Sequence, residues 1–321
     1  MDTTQIHQTE ESIEYPLFYT KEGEVPFWDN PLIRGFRVLP KKYKPYTTIE
    51  AALNLYLRNR VDDKDMMILK VLGDSICSNE DQLRRYLSSQ MSRSETSKKL
   101  DKLRSLSMAD RWKIRLREDK EELIRPPAPF TLGIAGFKLL KHYYNESFFM
   151  NPNHWDEKGI GAIQRYVAMN ELRCRLVEAN SIRQWEWNAI VNNNPRIKRP
   201  LGTAEVKTPK GNLNFIIDRA QMSQNFLGFL KEKLYQWKLV YEKKGYLPVG
   251  AFPENPTSII LFTSTLSMAQ FLHQELMLDT YPFNVMVCVE EDMLTEGVST
   301  AFYRAKGEEL VRMRLSFLEN K

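Results

Sequence analysis

SRSETSKKLDKLRSLSMADRWKIRLR, residues Ser92–Arg117, joins a capped cationic helix to a short basic strand. Ser92-Arg93-Ser94-Glu95 has the S-x-x-E form of a capping box, in which the Ser92 hydroxyl accepts from the Glu95 amide while Glu95 reaches back. Leu100, Leu103 and Leu106 have the spacing of a buried helical stripe. Trp112, Ile114 and Leu116 then alternate with Lys113, Arg115 and Arg117, the pattern of a half-buried strand with a cationic outer face. From Arg84 to Arg117 the chain carries eleven Lys or Arg against three acids, Glu95, Asp101 and Asp110, an excess larger than the net +5 of all 321 residues.

The helix at Ser92 is the last of a series. Thr47 or Thr48 with Glu50 starts a short helix, IEAALNLYLRNR, and Asp62-Asp63 precede a stronger one, DDKDMMILKVLGDSI, whose acid-rich first turn suits the helix dipole. SNEDQLRRYLSSQ follows, with Ser78 three residues before Asp81 in a capping arrangement. A charged loop, EDKEELIRPPAP, separates the basic strand from a second strand, PFTLG, and a helix from Ala135 to Tyr144 closes the module. Three helices followed by a two-stranded hairpin is the order of a winged helix-turn-helix.

Downstream, a long helix (IGAIQRYVAMNELRCRLVEAN) leads into an alternation of strands and helices. WEWNAIV reads as a strand, and TAEVKT with NLNFIID as a hairpin about Lys210-Gly211-Asn212. A helix over about 224–244, strand SIILFTS, helix LSMAQFLHQELML and strand FNVMVCVEED complete the pattern. The fold class predicted is α/β (α+β): an N-terminal winged helix-turn-helix and an α/β domain with a mixed sheet. The corresponding map is an irregular, aromatic and Pro-rich arm with a short helix at 1–59, the DNA-binding module at 60–145, a linker at 146–160 and the α/β domain at 161–321.

Composition narrows the class. A chain 42% hydrophobic and 27% charged has the make-up of a folded protein rather than a disordered one. Cys77, Cys174 and Cys288 form no CxxC pair, and His7, His142, His154 and His273 show no zinc spacing. The N-terminal MDTTQIHQTEESIEYP lacks the basic start and apolar run of a signal peptide, and no window reaches the ~18–20 apolar residues of a membrane span. A cytoplasmic protein without a membrane or a cofactor is the expectation.

The concentrated positive charge points to a polyanion, with double-stranded DNA as the partner. In a helix-turn-helix the second helix of the motif enters the major groove. Arg93, Ser94, Ser97, Lys98 and Lys102 are therefore the candidates on the outward face of the helix. Arg93 has the chemistry for a bidentate guanine contact, and Lys98 and Lys102 for neutralising phosphates. Lys113, Arg115 and Arg117 on the wing strand would meet the flanking backbone or minor groove. The competing reading is a solvated helix face on a module that serves protein contacts, making the chain an interaction scaffold.

The arrangement after the wing resembles the replication-relaxation family of plasmid and mobile-element proteins. The pieces that carry the resemblance are FTLGIAGFKLLKHYY, RYVAMNELRCRL, QWEWN, NFIIDRAQ, FLKEKLYQWKLVYE and SIILFTSTLSMAQFL, in that order, over roughly residues 62 to 305. The resemblance implies a winged-helix DNA reader joined to a domain similar to a restriction-endonuclease-like core. It also implies a role on plasmid, phage or conjugative-element DNA, in replication, transfer or their transcriptional regulation, with a replication or transfer protein as a further partner. Family members carry an acidic residue in a Pro-Asp context on the first strand of the hairpin. This chain has Arg199-Pro200-Leu201-Gly202 there, and Asp218 matches the family's acidic strand end.

A second function class follows from Glu205-Val206-Lys207, an E-x-K spacing that places both side chains on one face of a strand. With Asp218 on the adjoining strand and Lys233 on the next helix, these residues would compose a metal-dependent nuclease site using Mg²⁺. Such a site has its extra acid before the E-x-K strand and pairs it across a hairpin, whereas Asp218 comes afterward, so an inactive domain supporting assembly is the favoured expectation. The chain has no P-loop and no G-x-G-x-x-G or G-x-S-x-G motif. A homodimer is expected because paired readers gain avidity on repeated half-sites.

Overall fold

The computed structural model describes residues 17–116, 126–144, 149–222 and 225–319. In chain order the elements are β1 (Ile33–Val38), α1 (Ile49–Leu57), α2 (Asp63–Ser75), β2 (Cys77–Asn79), α3 (Glu80–Tyr86), α4 (Arg93–Ser105), β3 (Ala109–Leu116), β4 (Pro129–Leu132) and α5 (Ile134–Tyr143). They continue as α6 (Trp155–Glu178), β5 (Ile182–Trp187), β6 (Gly202–Thr208), β7 (Gly211–Arg219), α7 (Phe226–Lys244), β8 (Thr257–Thr263), α8 (Leu266–Leu276), β9 (Val285–Val289), α9 (Glu290–Thr295), β10 (Phe302–Lys306) and β11 (Glu309–Met313). The chain is thus a mixed α/β protein, as its periodicities predict, and its described strands form two sheets.

The first sheet is antiparallel, in the order β1-β3-β4-β2. Its helices start where the caps dictate. Asp62 and Asp65 form a reciprocal capping box on α2. The cap of α3 is Asn79 with Gln82, one residue beyond the Ser78–Asp81 pair expected from sequence, because Ser78 belongs to β2 and is buried. Ser92 caps α4 by accepting from the Glu95 amide at 3.2 Å, while the Glu95 carboxylate is engaged by Lys64 of α2 at 2.7 Å. Leu69, Leu72, Leu83, Leu100, Leu103, Phe130 and Leu139 fill the core between these helices and the sheet.

Gly136 is a close-approach point within that core. A Cβ there would lie 2.2 Å from the Met108 carbonyl oxygen, a backbone atom of the turn before β3. Helix propensity alone would make Gly136→Ala stabilising by about 1 kcal/mol. The overlap is the larger effect, so we expect a net loss of about 1–3 kcal/mol, read as a lower urea midpoint.

The second sheet has seven strands in the order β11-β10-β9-β8-β7-β6-β5, with β7-β8 and β8-β9 parallel and the remaining pairs antiparallel. Period-two alternation sorts its side chains. Phe215, Ile217, Ile260, Phe262, Met286 and Cys288 face α6, whereas Ile216, Ile259, Leu261, Val285 and Val287 face α7 and α8. Thr265, at the end of β8, caps α8 by accepting from Met268 N at 3.2 Å.

The sequence-derived boundaries need three corrections. β1 and α1 belong to the first module rather than to an irregular arm: β1 pairs with β3, and α1 packs on α5. Residues 17–31 do run as an arm, but over the second sheet's helices: the Phe18 ring packs on that of Phe271 at 5.2 Å, Tyr19 N donates to Ser267 at 3.1 Å and Lys21 pairs with the buried Asp292 at 2.5 Å. The expected linker at 146–160 contributes the buried Phe149, Pro152 and Trp155, and α6 begins inside it. That helix joins the two modules. Its Asn170 side-chain amide donates to the carbonyls of Ser75 and Cys77 at 2.8 and 2.9 Å, and Gln82 of α3 donates to the Val167 carbonyl at 2.9 Å. Ile33, Cys77, Trp112 and Ile114 share one apolar cluster with α6 and the second sheet.

Candidate nucleic-acid interface

The structure divides the basic residues of Arg84–Arg117 into two groups. Six are neutralised within the fold. Arg84 pairs with Glu80 at 2.6 Å. Arg85 reaches Glu171 and Glu178 on α6 at 2.8 and 2.6 Å. Arg93 pairs with Asp81, Lys99 with Asp62 and Asp65 at 2.7 and 3.2 Å, Lys102 with Asp65 and Asp62, and Arg104 with Asp101 at 3.0 Å. Lys98, Arg111, Lys113 and Arg115 are exposed and have no carboxylate partner among the described residues. Arg117 lies outside the described residues.

Two candidates on α4 are therefore corrected. The Ser97 hydroxyl is half-buried, accepting from Arg84 Nε at 3.0 Å and donating to Glu80 at 2.8 Å, so it fastens α4 to α3 rather than facing outward. Lys102 lies over the N-terminus of α2, where Asp65 is fully buried and needs cations. Desolvation opposes ionisation of Asp62, yet the hydrogen bond from Lys99 and the nearby charges hold its carboxyl down at about 2. Lys102→Glu would set a third carboxylate against this pair. We expect it to cost about 2 kcal/mol of stability, where Lys98→Glu costs almost nothing, measured by parallel denaturant titrations. Arg93 and Ser94 are exposed at the first turn of α4, Arg93 with its guanidinium held by Asp81.

The strand cations share a side. Ala109 packs in the core with Leu100 and Leu103 of α4, and alternation puts Arg111, Lys113 and Arg115 on the same face of β3 as Ala109. Trp112 and Ile114, on the other face, pack toward Trp155 and α6. The basic face of β3 is thus the one against which α4 packs, continued past the end of the helical core into solvent. β1 widens it: Arg34 stands opposite Arg115, and the exposed Phe36 opposite Lys113, with the Arg115 guanidinium 5.2 Å from the Phe36 ring centroid. The side chain of Arg104 reaches the Val38 carbonyl at 3.2 Å, which fixes the end of α4 to the end of β1. Arg111 and Arg34 are absent from the sequence-derived set. The alternation that marked Lys113 and Arg115 extends back to Arg111, whereas Arg34 lies in a Pro-rich stretch read as irregular.

The expected metal-dependent constellation does not assemble. Glu205 is 7% exposed and accepts from Asn212 and Asn255 at 2.8 and 3.2 Å. It stands opposite Asn214, four residues before Asp218 on β7, a separation of about 13 Å along the strand. Lys207 is exposed and farther still, opposite Asn212. Only Asp218 and Lys233 meet, as a buried pair at 2.7 Å, with Leu201 N donating to the same carboxylate oxygen at 3.1 Å. Among the described residues no group of three or more His, Cys, Asp or Glu side chains is placed to hold a metal ion, and no helix is long and apolar enough to cross a membrane.

Comparison of the chain with protein-family models, with curated proteins and with solved structures finds no match.

Proposed function

We propose that the protein binds double-stranded DNA through the outward side of α4 and the adjoining face of β3 and β1. The observation that carries this reading is the selective pairing of charge. The fold supplies carboxylates to five partly or wholly buried cations and to the exposed Arg93, and leaves Lys98, Arg111, Lys113 and Arg115 unneutralised, among the described residues, on the α4 side of the first sheet. The order α2-β2-α3-α4-β3-β4, with β4 between β2 and β3, supports reading this module as a winged helix-turn-helix with α4 as the recognition helix. Ser94 and Lys98 then approach the groove, and the strand cations hold the flanking sugar-phosphate backbone. The exposed apolar ring of Phe36, among these cations, is suited to lie against sugars.

The biological setting we propose is a plasmid, phage or conjugative element, with the protein acting as a homodimer in replication, transfer or their regulation. It rests on the resemblance described above. Selection of bound fragments from a random duplex pool, repeated over a salt series, tests the reading. Enrichment of one sequence, with affinity that falls steeply as salt rises, is the expected outcome. Binding that is absent near physiological salt would replace it with the scaffold reading.

A further inference from the structure

A pocket of 350 Å³ opens at the carboxyl end of β7, between α6 and the start of α7. It lies on the side of the sheet where open α/β folds place ligands, beyond the carboxyl ends of parallel strands. Its polar wall includes Arg165 of α6, Arg199, Asn188, Gln221 and the Asp218–Lys233 pair, and Phe229 lines its apolar side.

The balance of charge defines what fits. Lys233 is neutralised by Asp218, and Arg219, also in the wall, by Glu290 at 2.5 Å. Arg165 and Arg199 have no carboxylate partner among the described residues; the Arg165 Nε donates to the side-chain carbonyl oxygen of Gln221 at 3.3 Å. The pocket therefore presents two uncompensated positive charges. The Asp218 side chain, 5% exposed, keeps one oxygen, Oδ2, with no hydrogen-bond partner. A buried acceptor left bare is costly, and a donor delivered by a ligand would remove that cost.

We infer that this pocket binds a phosphomonoester of sugar-phosphate to mononucleotide size. The phosphate sits between Arg165 and Arg199, a hydroxyl or amino group of the ligand donates to Asp218 Oδ2, and the sugar or base lies along Phe229. Two arginines suit a phosphomonoester, which carries between one and two negative charges near neutral pH, better than a single carboxylate. The volume falls at the lower end of the range for small-molecule sites, about 300–1,000 Å³. The same chemistry is offered by a free metabolite and by the 5′-phosphate end of a nucleic-acid strand.

Calorimetric titration of the full chain tests this with AMP, adenosine, ribose 5-phosphate, and a thymidine trinucleotide with and without a 5′-phosphate. AMP or ribose 5-phosphate binding more tightly than the phosphorylated trinucleotide identifies a free ligand; the reverse order identifies a strand end. In either case adenosine and the 5′-hydroxyl trinucleotide bind at least tenfold more weakly than their phosphorylated counterparts. Arg165→Gln with Arg199→Gln lowers affinity at least tenfold, and Arg199→Gln alone, at an exposed side chain, at least threefold in a protein of unchanged melting temperature. Adenosine binding as well as AMP, variants binding as well as the parent, or no heat from any phosphorylated probe at millimolar concentration would overturn the inference.

Discussion

Replacing Lys98, Lys113 and Arg115 together by alanine is expected to lower duplex DNA affinity about a hundredfold while lowering the melting temperature by no more than about 2–3 °C. The size follows from roughly 1 kcal/mol for each solvent-exposed ion pair with a phosphate, so about 3 kcal/mol for the three together. A second readout separates phosphate neutralisation from any other cause. Each phosphate left without its cation takes about 0.9 from the slope of log K against log salt, so the triple variant should bind with a slope shallower by nearly three. The fold is expected to survive because none of the three side chains has a carboxylate partner among the described residues. Arg115 gives up only its exposed interaction with the Phe36 ring, worth about 0.5–1 kcal/mol.

The appropriate comparison is a triple substitution at Arg84, Lys99 and Lys102. By net charge the two variants are identical, and a diffuse electrostatic attraction would treat them alike. The structure separates them. Those cations are held against Glu80, Asp62 and Asp65, so replacing them should lower stability first and alter the salt slope little. Equal salt slopes for the two variants, or unchanged affinity in the first, would remove α4 and β3 as the interface.

The same contrast explains what was legible in the sequence. The leucine stripe of α4, the Ser92 cap and the alternation of β3 are local patterns, and each appears where the spacing puts it. Charge is not local. The excess at Arg84–Arg117 takes in only the acids inside that window, whereas the carboxylates that neutralise it come largely from Asp62 and Asp65 of α2, Glu80 and Asp81 of α3 and Glu171 and Glu178 of α6. No windowed count finds them. Ser97 has the helical position of an outward residue, and only the packing of α3 against α4 turns it inward.

Strand pairing was hidden in other ways. β2 is three residues long, too short for a periodic signal, and β1 is flanked by prolines. The β10–β11 hairpin turns at Lys306-Gly307-Glu308, with Gly307 at φ 60°, a short signal between strands of weak alternation. The E-x-K motif lies on the expected strand, but which end of β7 it faces depends on a register that spacing does not contain.

Lys233→Met should cost about 3–5 kcal/mol of stability near neutral pH. Methionine keeps most of the alkyl volume beside Phe229 and Trp237. What disappears is the ammonium group facing Asp218, in a pair whose side chains are 4% and 5% exposed. Asp218 would be left with the Leu201 amide as its remaining donor. The pH dependence identifies the cause. Burial raises the Asp218 carboxyl above its ordinary value, and Lys233 is the leading influence in the opposite direction. Without the lysine the folded-state value rises further, while the unfolded value stays near 3.9. A carboxyl raised on folding binds its proton more readily in the native state, so native stability is regained as pH falls through the folded-state value toward the unfolded one. The deficit of Lys233→Met relative to the parent should thus be largest at pH 7 and shrink toward pH 4. Adding Asp218→Asn removes the charge outright and should restore most of the loss at pH 7 while flattening the profile. A deficit that stays constant with pH would assign the damage to poorer packing, and one that grows in acid would contradict the buried carboxylate altogether.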